Sequence, residues 1–276
     1  MPTTMSVRFW GVRGSIPCPG PNTVRYGGNT SCVEVRCGEH LLIFDAGSGL
    51  RMLGLALAEE AAHLDTDLFF SHGHIDHLIG LPFFVPAFVK GNRLRLWAGN
   101  LKPAGGVQET VRKLMSYPLF PIEIETAQGS VEFNDFTPGE VLTPRPGIEV
   151  MTAALNHPGG ATGYRVEFAG RAMAYITDTE LSADAFDPAL LELVRDASIV
   201  VIDTTYTDEE LPEHVGWGHS SWQQAVRLAN EAGVGKLYLY HHDPEHDDDQ
   251  MDRIAEAAAR ARPGTVVARE GLSIEI

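Results

Sequence analysis

The sequence is short of cysteine, of positive charge and of long apolar runs, and each shortage removes a class of protein. Its three cysteines, Cys18, Cys32 and Cys37, are odd in number and form no CxxC pair. A disulfide framework is therefore not expected, and a reducing compartment fits. No apolar run approaches the roughly 20 residues that cross a bilayer. The opening MPTTMSVRFW has no basic segment leading into an apolar one, so neither a signal peptide nor a membrane association is expected. The expected location is the cytoplasm. Lysine and arginine number 21 against 37 aspartates and glutamates, a formal net charge of −16. Gripping long stretches of nucleic acid takes a basic surface that displaces phosphate counterions, so extended nucleic-acid binding is not expected. A small phosphate ester held by metal ions is compatible with the same charge. The densest acidic stretch, Asp243 to Asp252, reads as a solvated loop and helix start.

What is present suits a globular chain. The 276 residues are 44% apolar, ample for a buried core and read as one domain over residues 1–276. Repeats and low-complexity tracts are missing. Short apolar runs read as strands at Val7–Trp10, Cys32–Arg36, Leu41–Phe44, Asp67–Phe70, Leu94–Trp97, Val131–Phe133, Ile148–Ala154, Gly163–Phe168, Ala172–Thr177, Ile199–Ile202, Leu237–Tyr240 and Thr265–Ala268. Helical spacing marks Leu50–Ala62, Val107–Leu114, Ala189–Asp196, Ser221–Ala232 and Gln250–Ala261. The Gly/Pro-rich stretch Gly11–Asn29 reads as a loop, and the apolar stretch Gly80–Lys90 as core. Runs of strands followed by strands alternating with helices, in outline twice, predict an α/β fold of two face-to-face sheets with helices outside.

The strongest chemical signal follows the Asp67–Phe70 strand: His72-Gly73-His74-Ile75-Asp76-His77. Along a strand, side chains alternate with a period of two, so His72 and His74 point the same way. Asp76 and His77, past a turn, can face a second point nearby. Imidazole and carboxylate are ligands for divalent zinc, manganese and iron. More ionisable residues stand just past the ends of other apolar strands: His157, Asp178, and the pair His241 and His242. Loops at strand ends carry function on a rigid scaffold.

HxHxDH followed by His, Asp and His resembles the motif series of the metallo-β-lactamase superfamily. Within it the chain most resembles the phosphodiesterase branch, which includes the tRNA 3′-processing endonuclease RNase Z and small cyclic-phosphate diesterases. Supporting motifs are Gly27-Gly28-Asn29-Thr30-Ser31, the aspartate after Tyr175-Ile176-Thr177, and Gly218-His219-Ser220-Ser221 ahead of a helix. The resemblance implies a four-layer αββα sandwich and two divalent metal ions, zinc by default with manganese or iron open. It places His72, His74 and His157 on one metal, Asp76, His77 and His241 on the other, and Asp178 between them. Laying the strand Leu237–Tyr240 on the family's final strand selects His241 over His242.

Two metals sharing a hydroxide would supply a nucleophile at neutral pH, with Asp76 orienting it and His219 as general acid to the leaving alkoxide. Asn29, Thr30, Ser31 and Ser220 are candidate phosphate contacts, and Ser220 or Ser221 a cap for the following helix. RNase Z carries His-Glu-Ala-Thr where this chain has Asp203-Thr204-Thr205-Tyr206. The glutamate that supports the catalytic histidine is therefore missing, with Asp203 as the available substitute. Only 20 residues lie between His157 and Asp178, too few for the tRNA-gripping arm. The expectation is a small-molecule phosphodiesterase. Hydrolysis of a carbon ester (thioester, lactone or β-lactam) and a non-catalytic metal-binding sensor are the rivals, and a homodimer stays open.

Overall fold

The computed structural model describes residues 3–60, 63–182 and 185–276. Two seven-stranded sheets stack face to face. The first is built from β1 (Met5–Gly11), β2 (Cys32–Cys37), β3 (His40–Phe44), β4 (Asp65–Phe70), β5 (Arg93–Ala98) and β6 (Ser130–Asp135), with the last strand, β14 (Ser273–Glu275), pairing outside β1. Helix α1 (Gly49–Glu60) follows β3, and α2 (Gly106–Leu114) follows β5. The second sheet holds β7 (Val141–Arg145), β8 (Ile148–Leu155), β9 (Ala161–Phe168), β10 (Arg171–Ile176), β11 (Ile199–Asp203), β12 (Lys236–Tyr240) and β13 (Thr265–Val267). Its helices are α3 (Pro188–Val194), α4 (Trp222–Glu231) and α5 (Asp248–Ala261). Of the predicted helix Leu50–Ala62, residues 61 and 62 lie outside the described residues.

Each sheet is half antiparallel and half parallel. β3, β4, β5 and β6 run parallel, as do β10, β11, β12 and β13. Parallel neighbours end together: Phe44 pairs with Phe69, Ile176 with Ile202, and Asp203 with Tyr240. Loops leaving the carboxyl ends of parallel strands thus emerge side by side, where α/β sheets place their ligands.

Alternation along the strands separates three cores. Leu42 and Phe44 face the other sheet, against Tyr164 and Tyr175, whose ring centroids lie 5.4 and 5.5 Å from that of Phe44. Leu41 and Ile43 face outward to Leu50, Leu53 and Leu57 of α1. On the far side, Val200, Ile202 and Leu239 pack on Leu193, Ala225, Leu228 and Ile254 of the three outer helices. The result is the predicted four-layer αββα order.

Four differences have local causes. The edge strands β7 and β14 were not legible: β7 contains Pro144, tolerated only at a sheet edge, and β14 has three residues. The Gly80–Lys90 stretch is only partly core. Leu81, Phe84 and Ala87 are buried, while Phe83, Val85 and Val89 are exposed, because short turns there rotate the side chains in and out. The acidic run is not wholly solvated: Asp247 caps α5 by accepting from Gln250 N. Asp248 is buried, accepting the backbone amides of Arg25 and Tyr26. Predicted strand Thr265–Ala268 ends at Val267.

Candidate active site

β4 delivers the chain at Phe70 into the cleft between the sheet ends. His72 is buried and His74 exposed, with a tight turn at Ile75–His77 folding Asp76 and His77 back inward. His157, past β8, brings Nε2 to 3.2 Å from His74 Nδ1. One ligand atom each from His72, His74 and His157 falls within 4.8 Å of the others, and so does one each from Asp76, His77 and His241. His241 leaves β12 and sets Nε2 3.4 Å from Asp76 Oδ2. His77 Nε2 lies 3.1 Å from the same oxygen.

Asp178, past β10, stands between the two triads and turns one oxygen to each. Oδ1 is 3.8 Å from Nε2 of both His72 and His157. Oδ2 is 3.2 Å from His77 Nε2 and 3.3 Å from His241 Nε2.

A second ring of groups fixes the imidazoles. Asp45, at the end of β3, accepts hydrogen bonds from Ser71 N at 2.7 Å, and from Ser71 Oγ, Tyr175 Oη and His77 Nδ1 at 2.8 Å. Ser71 Oγ in turn meets His72 Nδ1 at 3.0 Å. His157 Nδ1 donates to the Gly218 carbonyl at 2.9 Å. His241 Nδ1 donates to Thr205 Oγ1 at 3.1 Å, and that hydroxyl donates to Asp203 Oδ1 at 2.8 Å. With Nδ1 committed, each ring is left to act through Nε2. Asp45, Asp178 and His241 all adopt positive φ, 60°, 54° and 61°. For residues with a Cβ this conformation is unfavourable, and it persists where the surroundings over-determine it.

Electrostatics follow from this crowding. Burial and the neighbouring His77, His157 and His74 hold His72 well below the usual histidine range. Burial opposes charge on His77 too, but Asp76, Asp178 and Asp45 outweigh it and push His77 well above. Asp178 is fully buried, which by itself would raise it, yet His241, His77 and His72 hold it well below the carboxylate range. Nε2 of His72, His77 and His241 are buried without a hydrogen-bond partner. Carboxylate oxygens flank these nitrogens rather than lying in line with them. Lone pairs converging beside paired carboxylates are the donor set of a divalent transition metal, and the residues fit one.

His219 lines the mouth beside these groups, with its ring stacked on His241 at 5.0 Å. Its Nδ1 is 2.8 Å from Asp203 Oδ2, so an aspartate supports the ring. Burial works against charge on His219, but the charge and hydrogen bond of Asp203, with Asp178 and Asp76 beyond, raise it to about 9. Its edge-on ring partners are Tyr206 and His157, at 6.0 and 5.3 Å.

The four predicted phosphate contacts are not at the mouth. Thr30, Ser31 and Ser220 are fully buried. Asn29 donates through Nδ2 to Glu270 at 3.0 Å and accepts from Ser48 Oγ at 2.9 Å. Thr30 Oγ1 accepts from Ser48 N at 2.8 Å. Ser220 Oγ donates to the Thr179 carbonyl at 2.6 Å. The hydroxyls of Thr30 and Ser220 and the amide of Asn29 hold loops together, which is ordinary turn chemistry. Ser221, not Ser220, caps α4, in a capping box with Gln224. His242 turns away from the centre, its Nε2 donating to the Ala268 carbonyl at 2.8 Å. Two residues escaped the sequence reading. Asp45 obeyed the same rule as the others, an ionisable residue just past an apolar strand. Ser15 acts through its backbone, donating N–H to Asp76 Oδ2 at 2.8 Å, which no side-chain pattern signals.

The centre opens through a basin of about 280 Å³, whose walls include Ser15, Ile75 and His219. A larger cleft of about 690 Å³ lies at the opposite ends of β8, β9 and β10, near Arg145, Arg165 and Arg171. None of the clustered histidines borders it, so chemistry rather than volume locates the site.

Comparison with known proteins agrees with this fold. The family described as beta-lactamase superfamily domain matches residues 40–242. Ribonuclease Z of Myxococcus xanthus is 23% identical, covering 90% of this chain and 92% of its own. Ribonuclease Z of Thermoplasma acidophilum is 25% identical, with 91% and 90% covered. Among solved structures, the metallo-beta-lactamase fold protein YhfI from Bacillus subtilis superposes with a TM-score of 0.73 at 20% identity, covering all of both chains. A diphosphatase of the PhnP family gives 0.71 at 19% identity, with 99% and 97% covered. Human short-form tRNase Z gives 0.68 at 18% identity, with 98% of each covered.

Proposed function

The chain belongs to the beta-lactamase superfamily and is a metal-dependent hydrolase; from that premise we propose that it is a phosphodiesterase acting on a small or cyclic phosphate ester at a two-metal centre. The observation that carries the reading is the bifacial placement of Asp178, one oxygen toward each triad. His72, His74 and His157 would hold one ion, Asp76, His77 and His241 the other, and Asp178 both. Bound there, a pair of divalent ions supplies Lewis acidity and brings the pKa of water toward neutrality.

The chain's own residues supply the rest. Asp76, its Oδ2 held by the Ser15 amide, borders the basin, where its carboxylate would orient the attacking water. His219 commits Nδ1 to Asp203, leaving Nε2 to hand a proton to the departing alkoxide. Asp203 fixes that tautomer and stabilises the charged ring, and through Thr205 it also steadies His241. One carboxylate therefore couples the proton donor to a metal-facing histidine. A proton donor stands beside both metal positions, as hydrolysis with an alkoxide leaving group requires. Support for phosphorus over carbon comes from relatives whose name, ribonuclease, denotes cleavage of a phosphodiester backbone.

The test is a substrate panel run with metal analysis on one preparation. Bis-p-nitrophenyl phosphate turns over, with about two metals per chain, while lactone and thioester analogues stay inert. Turnover confined to the carbon esters would overturn the reading. A metal-loaded protein inert on every ester would make it a sensor. On a diester with an alkoxide leaving group, His219→Ala retains its metals and loses about 10²–10⁴-fold in kcat, while p-nitrophenolate release from the aryl diester is little affected.

A further inference from the structure

Arg13 is fully buried, and its guanidinium bonds to main-chain carbonyls. A buried charge is costly unless partners hold it, so what this one joins is informative. Nε donates to the Gly27 carbonyl at 2.9 Å, and Nη1 to the carbonyls of Asp243 and His246 at 3.0 and 2.6 Å. Arg13 follows β1 of the first sheet, whereas Asp243 and His246 follow β12 of the second. The rigid, many-donor fork of an arginine suits such a tie between separate loops. The backbone repeats the tie. Arg13 N donates to Asn29 O at 2.9 Å, Gly14 N to His242 O at 3.0 Å, and His242 N to Val12 O at 2.9 Å.

The two residues that follow rest on one half of the metal centre. Gly14 lies so close to the His241 ring that a Cβ would sit 2.5 Å from both Cε1 and Nδ1. Its φ is not positive, so the ring, not the turn, demands glycine there. Ser15, at a φ of 61°, turns its N–H onto Asp76 Oδ2 at 2.8 Å. That conformation is unfavourable for a serine and persists where its surroundings over-determine it. Asp76 and His241 belong to the same triad. In the opposite triad other groups steady the rings: Ser71 Oγ meets His72, and the Gly218 carbonyl meets His157.

We propose that Arg13, Gly14 and Ser15 form a clamp, anchored by the buried guanidinium, that sets metal affinity at the position of Asp76, His77 and His241 without setting it at the position of His72, His74 and His157. Arg13 is then a positioning residue, acting on the ligands through Gly14 and Ser15. The assignment rests on the two-metal reading above and deepens it by making the two positions separable.

The experiment uses the full chain and zinc. Zinc per chain is counted by elemental analysis after equilibration at limiting free zinc, and each ion is located by anomalous diffraction at the zinc edge. Wild type fills both positions. R13Q and G14A lose about 10–100-fold in affinity at the position of Asp76, His77 and His241, and the other position stays filled. R13K, which restores a buried donor, recovers part of the loss. G218A, whose methyl meets His157, gives the reverse pattern. G14A keeps the buried cation and decides the matter if R13Q does not fold. If R13Q and G14A keep both ions, or lose both in step, the clamp is wrong and the two-metal reading stands. If wild type fills only the position of Asp76, His77 and His241 and the variants lose that ion, the clamp stands and the two-metal reading falls. Wild type filled only at the other position overturns both.

Discussion

Asp45 shows how much a residue that never touches substrate can decide. Its carboxylate takes four hydrogen bonds in a site closed to water. Two lead to metal-facing rings, directly to His77 and through Ser71 to His72. Asp45→Asn keeps the size but introduces donors where only acceptors are wanted. The expected outcome is a roughly 10–100-fold loss of metal affinity, measured by competition with a chromophoric chelator. His242 makes a different kind of prediction. Burial, with the charge of Arg13 behind it, lowers its pKa to about 3 despite the bond to Ala268, against about 6.5 in an unfolded chain. The folded protein thus binds that proton less well than the unfolded one. Stability from this residue is complete above about pH 6.5 and drains away as pH falls toward 3. His242→Gln keeps a donor for the Ala268 carbonyl and should flatten the thermal-midpoint profile between pH 6.5 and 4.

At the scale of elements, the site is made by where strands stop. β3, β4, β10, β11 and β12 end within a residue or two of Asp45, His72, Asp178, Asp203 and His241, and register places those ends side by side. The loop before α4 is the element most exposed to a single change. Gly218→Ala would push a methyl against His157 and Pro158 and place an alanine at positive φ. Metal content should fall with it, while Gly159→Ala, whose Cβ meets nothing within 4 Å, carries only the backbone strain and leaves the metals in place. Ser221→Ala removes the α4 cap at about 1 kcal/mol, read as a melting midpoint lower by roughly 2–4 °C. The elements hidden in the sequence were edge strands: β7 carries a proline and β14 is too short for a pattern to repeat. The loop hydroxyls of Thr30, Ser31 and Ser220 looked like phosphate donors because a hydrophilic turn reads the same whether its side chains face solvent or each other.

At the scale of the whole molecule, charge and architecture pull apart. A net charge of −16 repels an anionic diester at long range, and only the metal centre attracts it. Screening weakens repulsion between exposed charges beyond about 10 Å at 0.1 M salt. The kcat/KM for an anionic diester should therefore rise with salt between 20 and 200 mM, where a cation-lined nucleic-acid enzyme would lose rate. Stripping the metals uncovers the mutual repulsion of Asp45, Asp76 and Asp178, so a chelator should lower the melting midpoint, and zinc or manganese restore it.

By itself the sequence determined the layered α/β fold and the segments that meet at the site. Strand patterns repeat every two residues, and HxHxDH needs only local spacing to place its histidines. Tertiary structure decided what depends on residues distant in the chain. It turned the His241 ring into the cleft and the His242 ring onto Ala268. It gave Asp203 to His219 across 16 residues, and tied Asn29 and Thr30 to Ser48 and Glu270. It also brought Asp178 between two triads drawn from three other loops. Local chemistry sets which atoms can act, and only packing sets which of them face one another.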